Sequence, residues 1–357
     1  MRITKLQVKN FRNAAERTVT FDGGINIICG ANAAGKTNLL EAVFYFAAGK
    51  SFRNCKDKEL IKFGCDSANI SIEFVTDNGV EKKMSAAFLK DFRRVIKIGD
   101  YKAVKLSEYL GMFRAVIFTP DHLNLVKGAP ENRRRFLDIA ICQSFPRYAQ
   151  SLSEFNKVLA QKNSYLKKGS GDKLLLDVYN ERLAALSAVI TVNRRKYTAK
   201  LEEEAAKFLD DMSLGKEKLK LEYHSQCGEA ETQEEIKERY KAIADEHFDI
   251  ERERGIALYG AHKDDFNMLI NRKSARMYGS QGQQRSTVLA LKLAEGELSA
   301  KLTGEYPVFL LDDILSELDA DRKEYILSRL DGRQVVITGC ESEIFDLEGK
   351  NCIFISD

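Results

Sequence analysis

The sequence predicts an α/β fold in which both ends of the chain build one domain around a mostly helical insertion. Three observations carry this reading. Residues 30–37, Gly30-Ala31-Asn32-Ala33-Ala34-Gly35-Lys36-Thr37, match the phosphate-loop pattern GxxxxGK[ST] in full. Residues 308–311 are wholly apolar and run straight into Asp312 and Asp313. Ahead of them, Ser280-Gln281-Gly282-Gln283-Gln284 opens a long helical pattern.

The elements follow in order. Residues 3–8, 17–21 and 25–29 alternate or cluster apolar side chains like strands, and residues 37–46 read as a helix. Residues 70–75 and 82–88 flank Asp77-Asn78-Gly79, which predicts a hairpin with a type I′ turn, because Asn-Gly tolerates positive φ. Residues 112–118 form a further apolar strand closed by Thr119-Pro120. From Pro120 the pattern turns helical: one helix from Pro130, broken at Phe145-Pro146, and a second running to about Lys168. Beyond the turn at Gly169-Ser170-Gly171, Leu176, Leu183, Ile190 and Tyr197 fall seven apart. That stripe fits either a short antiparallel helical arm or an ordinary bundle helix with one buried face. Residues 219–223 read as a strand and 231–246 as a charged helix. The last third alternates again: a helix after the glutamine-rich motif, strand 308–311, a helix from Asp321, and strands 335–338 and 352–356. The expected division is a discontinuous head, 1–118 and 257–357, with a mainly helical second lobe at 119–256.

Composition narrows the class. The chain has 357 residues, 44% hydrophobic and 31% charged, which suits a globular protein with ample core. No stretch of about 18 apolar residues predicts a membrane span, and the N-terminus lacks the apolar core of a signal peptide. Seven cysteines without CxxC spacing predict reduced thiols and a cytoplasmic protein. With a net charge of +3, any nucleic-acid site must be a local patch. The candidates are Lys90, Arg93, Arg94 and Lys97; the run Arg133, Arg134 and Arg135, which can instead pair with acids at a lobe interface; and Arg194, Arg195 and Lys196. A solvated face is the commoner explanation of each.

The chemistry sits at the ends of strands. Backbone amides of residues 30–37 and of the following helix N-terminus would face the phosphates of ATP, with Lys36 on the outer phosphates. The Thr37 hydroxyl and Asp312 are placed to share Mg2+, while Asp313 is a candidate to orient the attacking water. Ser280 to Gln284 combines a hydroxyl, a glycine and helix N-terminal amides, which makes a second phosphate site. One subunit rarely needs two, so the economical arrangement is an ATP-dependent homodimer in which each such signature closes on the partner's nucleotide. Its position before the acidic strand is that of ATP-binding-cassette engines.

With these motifs, the chain resembles the RecF family of bacterial recombinational-repair ATPases along nearly its whole length. The matching stretches are Asn10-Phe11-Arg12-Asn13, the phosphate loop continuing through Glu41-Ala42, Gly49-Lys50-Ser51-Phe52-Arg53, and residues 118–128. Arg133 to Asp138, Gly260 to Asp265, Gly279 to Arg285 and Leu311 to Asp319 complete the set. The resemblance implies an ATP-binding-cassette-type P-loop ATPase head with a short second lobe and no long coiled-coil arms. It implies Mg-ATP-dependent dimerisation, slow hydrolysis, binding of DNA at gaps or single-strand/double-strand junctions without sequence preference, and loading of recombinase with RecR and RecO. It also implies that Ser316, Glu317, Leu318 and Asp319 form a D-loop reaching across the dimer. The chain departs from the family in having Ala33 for glycine, Ala261 for proline, and Asp121-His122 after the proline of the lid. The segment Val336-Ile337-Thr338-Gly339-Cys340 lacks the histidine that transporter cassettes carry there. A transporter subunit would also show Leu-Ser-Gly-Gly-Gln and a glutamate after the first aspartate. A chromosome organiser would need hundreds of coiled-coil residues, and a phosphate-loop kinase or GTPase would need no glutamine signature.

Overall fold

Two sheets of opposite character make up the head of the computed structural model, which describes residues 1–53, 55–91, 94–103, 105, 108–169, 172–339 and 351–355. The first is antiparallel. It contains β1 (Arg2–Phe11), β2 (Ala14–Thr20), β4 (Ser67–Val75), β5 (Glu81–Leu89), β6 (Arg94–Ile98) and β7 (Tyr101–Ala103), in the order β2-β1-β4-β5-β6-β7. Its residues alternate: Leu6, Val8, Ile70, Ile72, Met84 and Ala86 are buried, while Gln7, Lys9 and Asn69 face outward, as expected of a sheet covered on one side. The second sheet is parallel, in the order β14-β3-β13-β12-β8, with β3 (Ile25–Cys29), β8 (Ala115–Phe118), β12 (Val308–Asp312), β13 (Val335–Gly339) and β14 (Asn351–Phe354). Strands β8, β12 and β13 are buried at every residue, which is why they read as unbroken apolar runs.

Helix α1 (Lys36–Ala48) follows β3 directly and ends at Gly49 in the left-handed region. Helix α8 (Gln281–Thr303) lies against the parallel sheet. A Cβ at Gly296 would stand 2.2 Å from the Phe309 ring, so only glycine lets α8 approach β12 this closely. Short α7 (Ala275–Tyr278) precedes α8, and α9 (Ala320–Arg329) follows β12.

The second lobe holds α2 (Pro130–Ser144), α3 (Pro146–Lys167), α4 (Lys173–Met212), α5 (Gln233–Glu246) and α6 (Phe248–Arg254), with β9 (Leu219–His224), β10 (Asp265–Ile270) and β11 (Lys273–Ser274) in the order β11-β10-β9. Prolines at the first helical position start α2 and α3, where the missing N–H costs nothing. The stripe Leu176, Leu183, Ile190 and Tyr197 is buried and continues through Leu201, Ala205 and Leu209. It packs against α3, α5 and α8 together, so α4 is a bundle helix seated on the head and not a projecting arm.

Other expectations are corrected. The hairpin after β4 exists, but its turn is not type I′. The N–H of Thr76 donates to Val80 O, that of Gly79 donates to Thr76 O, and among residues 77–79 only Gly79 has positive φ, at 81°. This is a three-residue loop with glycine in the left-handed position. The division at 257 cuts a sheet, because β10 pairs with β9 from Asp265↔His224 to Ile270↔Leu219. Strands β6, β7, β10 and β11 and helix α6 were not anticipated. The expected strand 112–118 shortens to Ala115–Phe118; of 352–356, residue 356 lies outside the described residues, as do Ser170, Gly171 and Cys340. No disulfide joins the described cysteines, and no helix among the described residues is long and apolar enough to cross a membrane.

Candidate nucleotide site and its surroundings

The loop at residues 30–35 wraps tightly after β3. A Cβ on Gly30 would come within 2.5 Å of Ile355 O, and one on Gly35 (φ 94°) within 2.7 Å of Asn13 Oδ1, so both positions need glycine. Ala33 also sits at positive φ, 70°, where its methyl group is disfavoured, and its carbonyl accepts a hydrogen bond from Asn13 Nδ2 at 3.1 Å. Helix α1 begins with the N–H groups of Asn38 and Leu39 donating to Gly35 O and carries no carboxylate in its first turn. Its positive dipole end is therefore open to an anion. Lys36 is buried and its Nζ donates to Gly30 O at 2.7 Å and Ala31 O at 3.1 Å, which places a cation inside the loop.

A second layer of side chains holds this loop. Fully buried Glu41 on α1 accepts Arg12 Nε and Nη2 at 2.8 and 2.5 Å and the Ser51 hydroxyl. Asn38 donates to Asn13 Oδ1 at 2.8 Å and accepts Arg53 Nη1 at 2.9 Å, and Arg17 Nη1 donates to Ala34 O at 3.2 Å. The roles of Arg12, Asn13 and Arg53 were not assigned from the sequence, although they lie in its matching stretches. Their signal was a conjunction of polar residues just after strand β1 and helix α1 with no partner nearby in sequence.

Strand β13 lies between β3 and β12, with Thr338 in register with Ile28 on one side and Asp312 on the other. The end of β3, Thr338 and Asp312 thus meet at the carboxyl ends of three parallel strands, the usual ligand edge of such sheets. Asp312 is buried, and burial raises its carboxyl above the ordinary range although Thr338 Oγ1 donates to its Oδ1 at 2.9 Å. Among the described residues no cluster of three or more His, Cys, Asp or Glu could hold a metal ion. One carboxylate and one hydroxyl fit Mg2+, which keeps waters and takes phosphate oxygens from its nucleotide. Asp313 follows at φ 49°, its N–H donating to Thr338 Oγ1 at 3.0 Å and its carbonyl accepting Ser316 Oγ at 2.7 Å.

Ser280 caps α8. Its hydroxyl accepts Gln283 N–H at 3.2 Å, and Gln283 Oε1 accepts Ser280 N–H at 2.9 Å, while both residues stay accessible. Gln281 is exposed, and buried Gln284 donates to Ala275 O and Gly279 O at 3.0 Å. Arg322, which the sequence did not single out, joins this turn to residues 316–319. It donates to Gly282 O at 3.1 Å and Ser286 Oγ at 2.9 Å while pairing with Asp319, the cap of α9. Glu317 faces Arg285 at 3.5 Å, and Leu318 is buried. The signature turn and the candidate D-loop therefore form one continuous face.

The basic candidates fare differently. Arg194 is corrected: it is buried, its guanidinium forked onto Asp138 at 2.8 and 2.9 Å and onto Ala261 O at 2.6 Å, which leaves nothing for DNA. Partly buried Arg195 ties down residues 225–230 through the Ser225 hydroxyl and the Ala230 and Gly228 carbonyls. Arg94 is exposed yet engaged: its Nη1 donates to Tyr45 Oη and Gly49 O at 3.1 and 2.8 Å and faces Asp57 at 3.4 Å. Arg93 lies outside the described residues, whereas Lys196 and Lys97 are exposed. The arginine run does pair within the protein: Arg133 forks onto Asp265 at 2.7 and 2.8 Å, Arg134 donates to Asp264 O, and Arg135 to Ser51 O and Phe52 O across the lobes. Asp264 is a hub, accepting hydroxyls from Thr191, Tyr223 and Tyr240. His122 of the lid turns inward, its Nδ1 accepting Thr119 N–H at 3.0 Å, and burial lowers its pKa.

Comparison with known proteins places this geometry. The family model of the RecF/RecN/SMC N terminal domain matches residues 2–354. A DNA replication and repair protein RecF of Desulfitobacterium hafniense is 40% identical over 331 residues, covering 92% of this chain and 90% of its own. One from Staphylococcus carnosus is 38% identical, covering 98% and 95%. A solved structure of the recombination mediator protein RecF-ATPrS in the RecFOR pathway superposes with a TM-score of 0.92 at 37% identity, covering 99% of this chain and 96% of that one. A Smc head bound to the C-winged helix domain of ScpA shares the fold, with a TM-score of 0.55 at 16% identity.

Proposed function

The chain belongs to the RecF family of DNA replication and repair proteins, and from that premise we propose that it is a Mg-ATP-dependent clamp that dimerises on DNA. The observation that carries the proposal is the meeting of the end of β3, which leads into the phosphate loop, with buried Asp312 at the carboxyl edge of the parallel sheet, where Thr338 is in register with both Ile28 and Asp312. In this reading Gly30, Ala31, Asn32, Ala33, Ala34 and Gly35 wrap the phosphates of ATP. Lys36 leaves the loop carbonyls to neutralise the outer phosphates, as a related protein's capture with ATP supports. Thr37 and Asp312 would hold Mg2+, which would neutralise phosphate charge as it develops. Asp313 orients the water that attacks the γ-phosphorus and takes its proton. Breakage of the bond to the bridging oxygen then leaves ADP and phosphate.

Ser280, Gln281, Gly282, Gln283 and Gln284, coupled through Arg322 to Ser316, Glu317, Leu318 and Asp319, form the face that meets the partner's nucleotide in a homodimer. ATP closes the dimer on gapped or junction DNA in the cytoplasm, and slow, DNA-stimulated hydrolysis opens it. RecR and RecO are the partners in loading recombinase. The seating of α4 against the head favours this over a chromosome organiser, which needs a projecting arm. Lys196 remains a candidate phosphate contact, and Arg93 is proposed from sequence alone.

Two variants test the scheme. Lys36→Met removes a charge-assisted contact worth about 1.5–3 kcal/mol, so ATP affinity should fall about tenfold or more in equilibrium titration. Wild-type affinity would remove the loop from the site. Ser280→Arg keeps each subunit's own phosphate loop intact but puts a bulky cation on the closing face. It should bind ATP normally and stay monomeric in light scattering, and an ATP-induced dimer of wild-type strength would refute the composite site.

A further inference from the structure

The segment that lacks a transporter-type histidine carries instead a hydroxyl with two defined partners. Resting on the nucleotide reading above, we propose that Thr338 is a positioning residue of the hydrolytic centre, orienting the Asp312 carboxylate and fixing the backbone turn that presents Asp313. Thr338 Oγ1 donates to Asp312 Oδ1 at 2.9 Å and accepts the Asp313 N–H at 3.0 Å. A hydroxyl has one hydrogen and two lone pairs, so its single proton is committed to the carboxylate and its acceptor to the turn.

The placement is rigid. Thr338 is 1% exposed on the central strand β13, in register with Asp312 itself, so neither the strand nor the side chain has room to drift. Its β-branched side chain restricts χ1 further. Asp313 needs such a hold because its φ of 49° is unfavourable for a residue with a Cβ. Losing the hydrogen bond to Thr338 removes one contact that pins Asp313, while Ser316 Oγ still donates to the Asp313 carbonyl. The turn can then relax toward ordinary φ, swinging the Asp313 carboxylate away, while Asp312 gains a freedom that a metal ligand should not have. One hydroxyl therefore couples the candidate ion-binding acid to the candidate water-orienting acid.

The test compares Thr338→Val, which keeps the branched shape and removes both hydrogen bonds, with Thr338→Ser, which keeps the hydroxyl. Mn2+ binding to the complex with a non-hydrolysable ATP analogue is read by electron paramagnetic resonance, beside single-turnover hydrolysis of ATP with Mg2+. In Val, Mn2+ affinity and hydrolysis should each fall about tenfold or more, as loss of a hydrogen bond to a charged group implies. Metal-free nucleotide affinity should stay within about twofold, and Ser should recover both losses to within about threefold. Wild-type Mn2+ affinity and hydrolysis in Val would overturn the proposal, and so would a Ser variant as impaired as Val, which would make the methyl group the cause. Asp312→Asn serves as the control. If it loses Mn2+ while Val does not, Thr338 alone is misassigned; if it too binds Mn2+ normally, the ion-site reading fails and this proposal falls with it. Should Val not yield folded protein, Thr338→Ala carries the same comparison.

Discussion

Arg194→Ala is expected to cost about 3–5 kcal/mol of folding stability, the penalty for stranding one member of a buried ion pair. Asp138 would lose both guanidinium hydrogen bonds, and the Ala261 carbonyl its donor, in a region where the Arg194 side chain is 3% exposed. The damage would spread, because Asp138 also accepts the Tyr148 hydroxyl and Ala261 adjoins the turn leading to the Asp264 hub. Lys196→Glu, two positions along the same helix on an exposed side chain, should change stability by no more than about 0.5 kcal/mol. Urea unfolding of the two variants separates the roles. If Arg194→Ala unfolds like wild type yet binds DNA weakly, Arg194 is a phosphate contact after all and its packing here is misread.

That contrast shows where sequence reading reaches its limit. Strands β8, β12 and β13 were legible because burial on both faces leaves an unbroken apolar run, and the phosphate loop because glycine is demanded at two of its positions. The stripe on α4 announced a buried face but could not say against what, since the same spacing serves an arm or a bundle. Arg194 and Arg195 looked like a basic patch because their partners are distant: Asp138 is 56 residues away, and Ser225 and Ala230 are 30 and 35 residues away. Strand β10 alternates Phe266, Met268 and Ile270 inward, yet six residues with Asp and Asn interleaved carry little strand signal without knowledge of β9. At the candidate site the split is similar. Thr37 and Asp312 were readable because each ends a recognisable element. Thr338 and Arg322 were not, because their significance lies in hydrogen bonds to residues that only folding brings near.

The largest effect expected on activity is from Asp313→Asn, which should slow single-turnover ATP hydrolysis by about 10²–10⁴-fold, the usual contribution of a positioned base. Asparagine is the right replacement because it tolerates the left-handed backbone that Asp313 adopts, so the turn and its hydrogen bond to Thr338 survive. The variant should still bind ATP and dimerise, and it should stay on DNA longer because the clamp cannot reset. In the proposed scheme the wild-type base is itself a modest one: aspartate is one methylene shorter than the glutamate of fast cassette ATPases, so it should reach the water less well and turnover should be slow. Asp312→Asn should behave otherwise. It removes the carboxylate that Thr338 holds in place, so under the proposed scheme metal binding, and with it the ATP-dependent dimer, should be lost before chemistry is reached. Dimer lifetime beside single-turnover rate is the deciding measurement: long-lived and inactive for Asn at 313, short-lived and inactive for Asn at 312. Wild-type hydrolysis in Asp313→Asn would exclude Asp313 from the reaction, and equal dimer lifetimes would show that the two adjacent acids do not divide the work between metal and water.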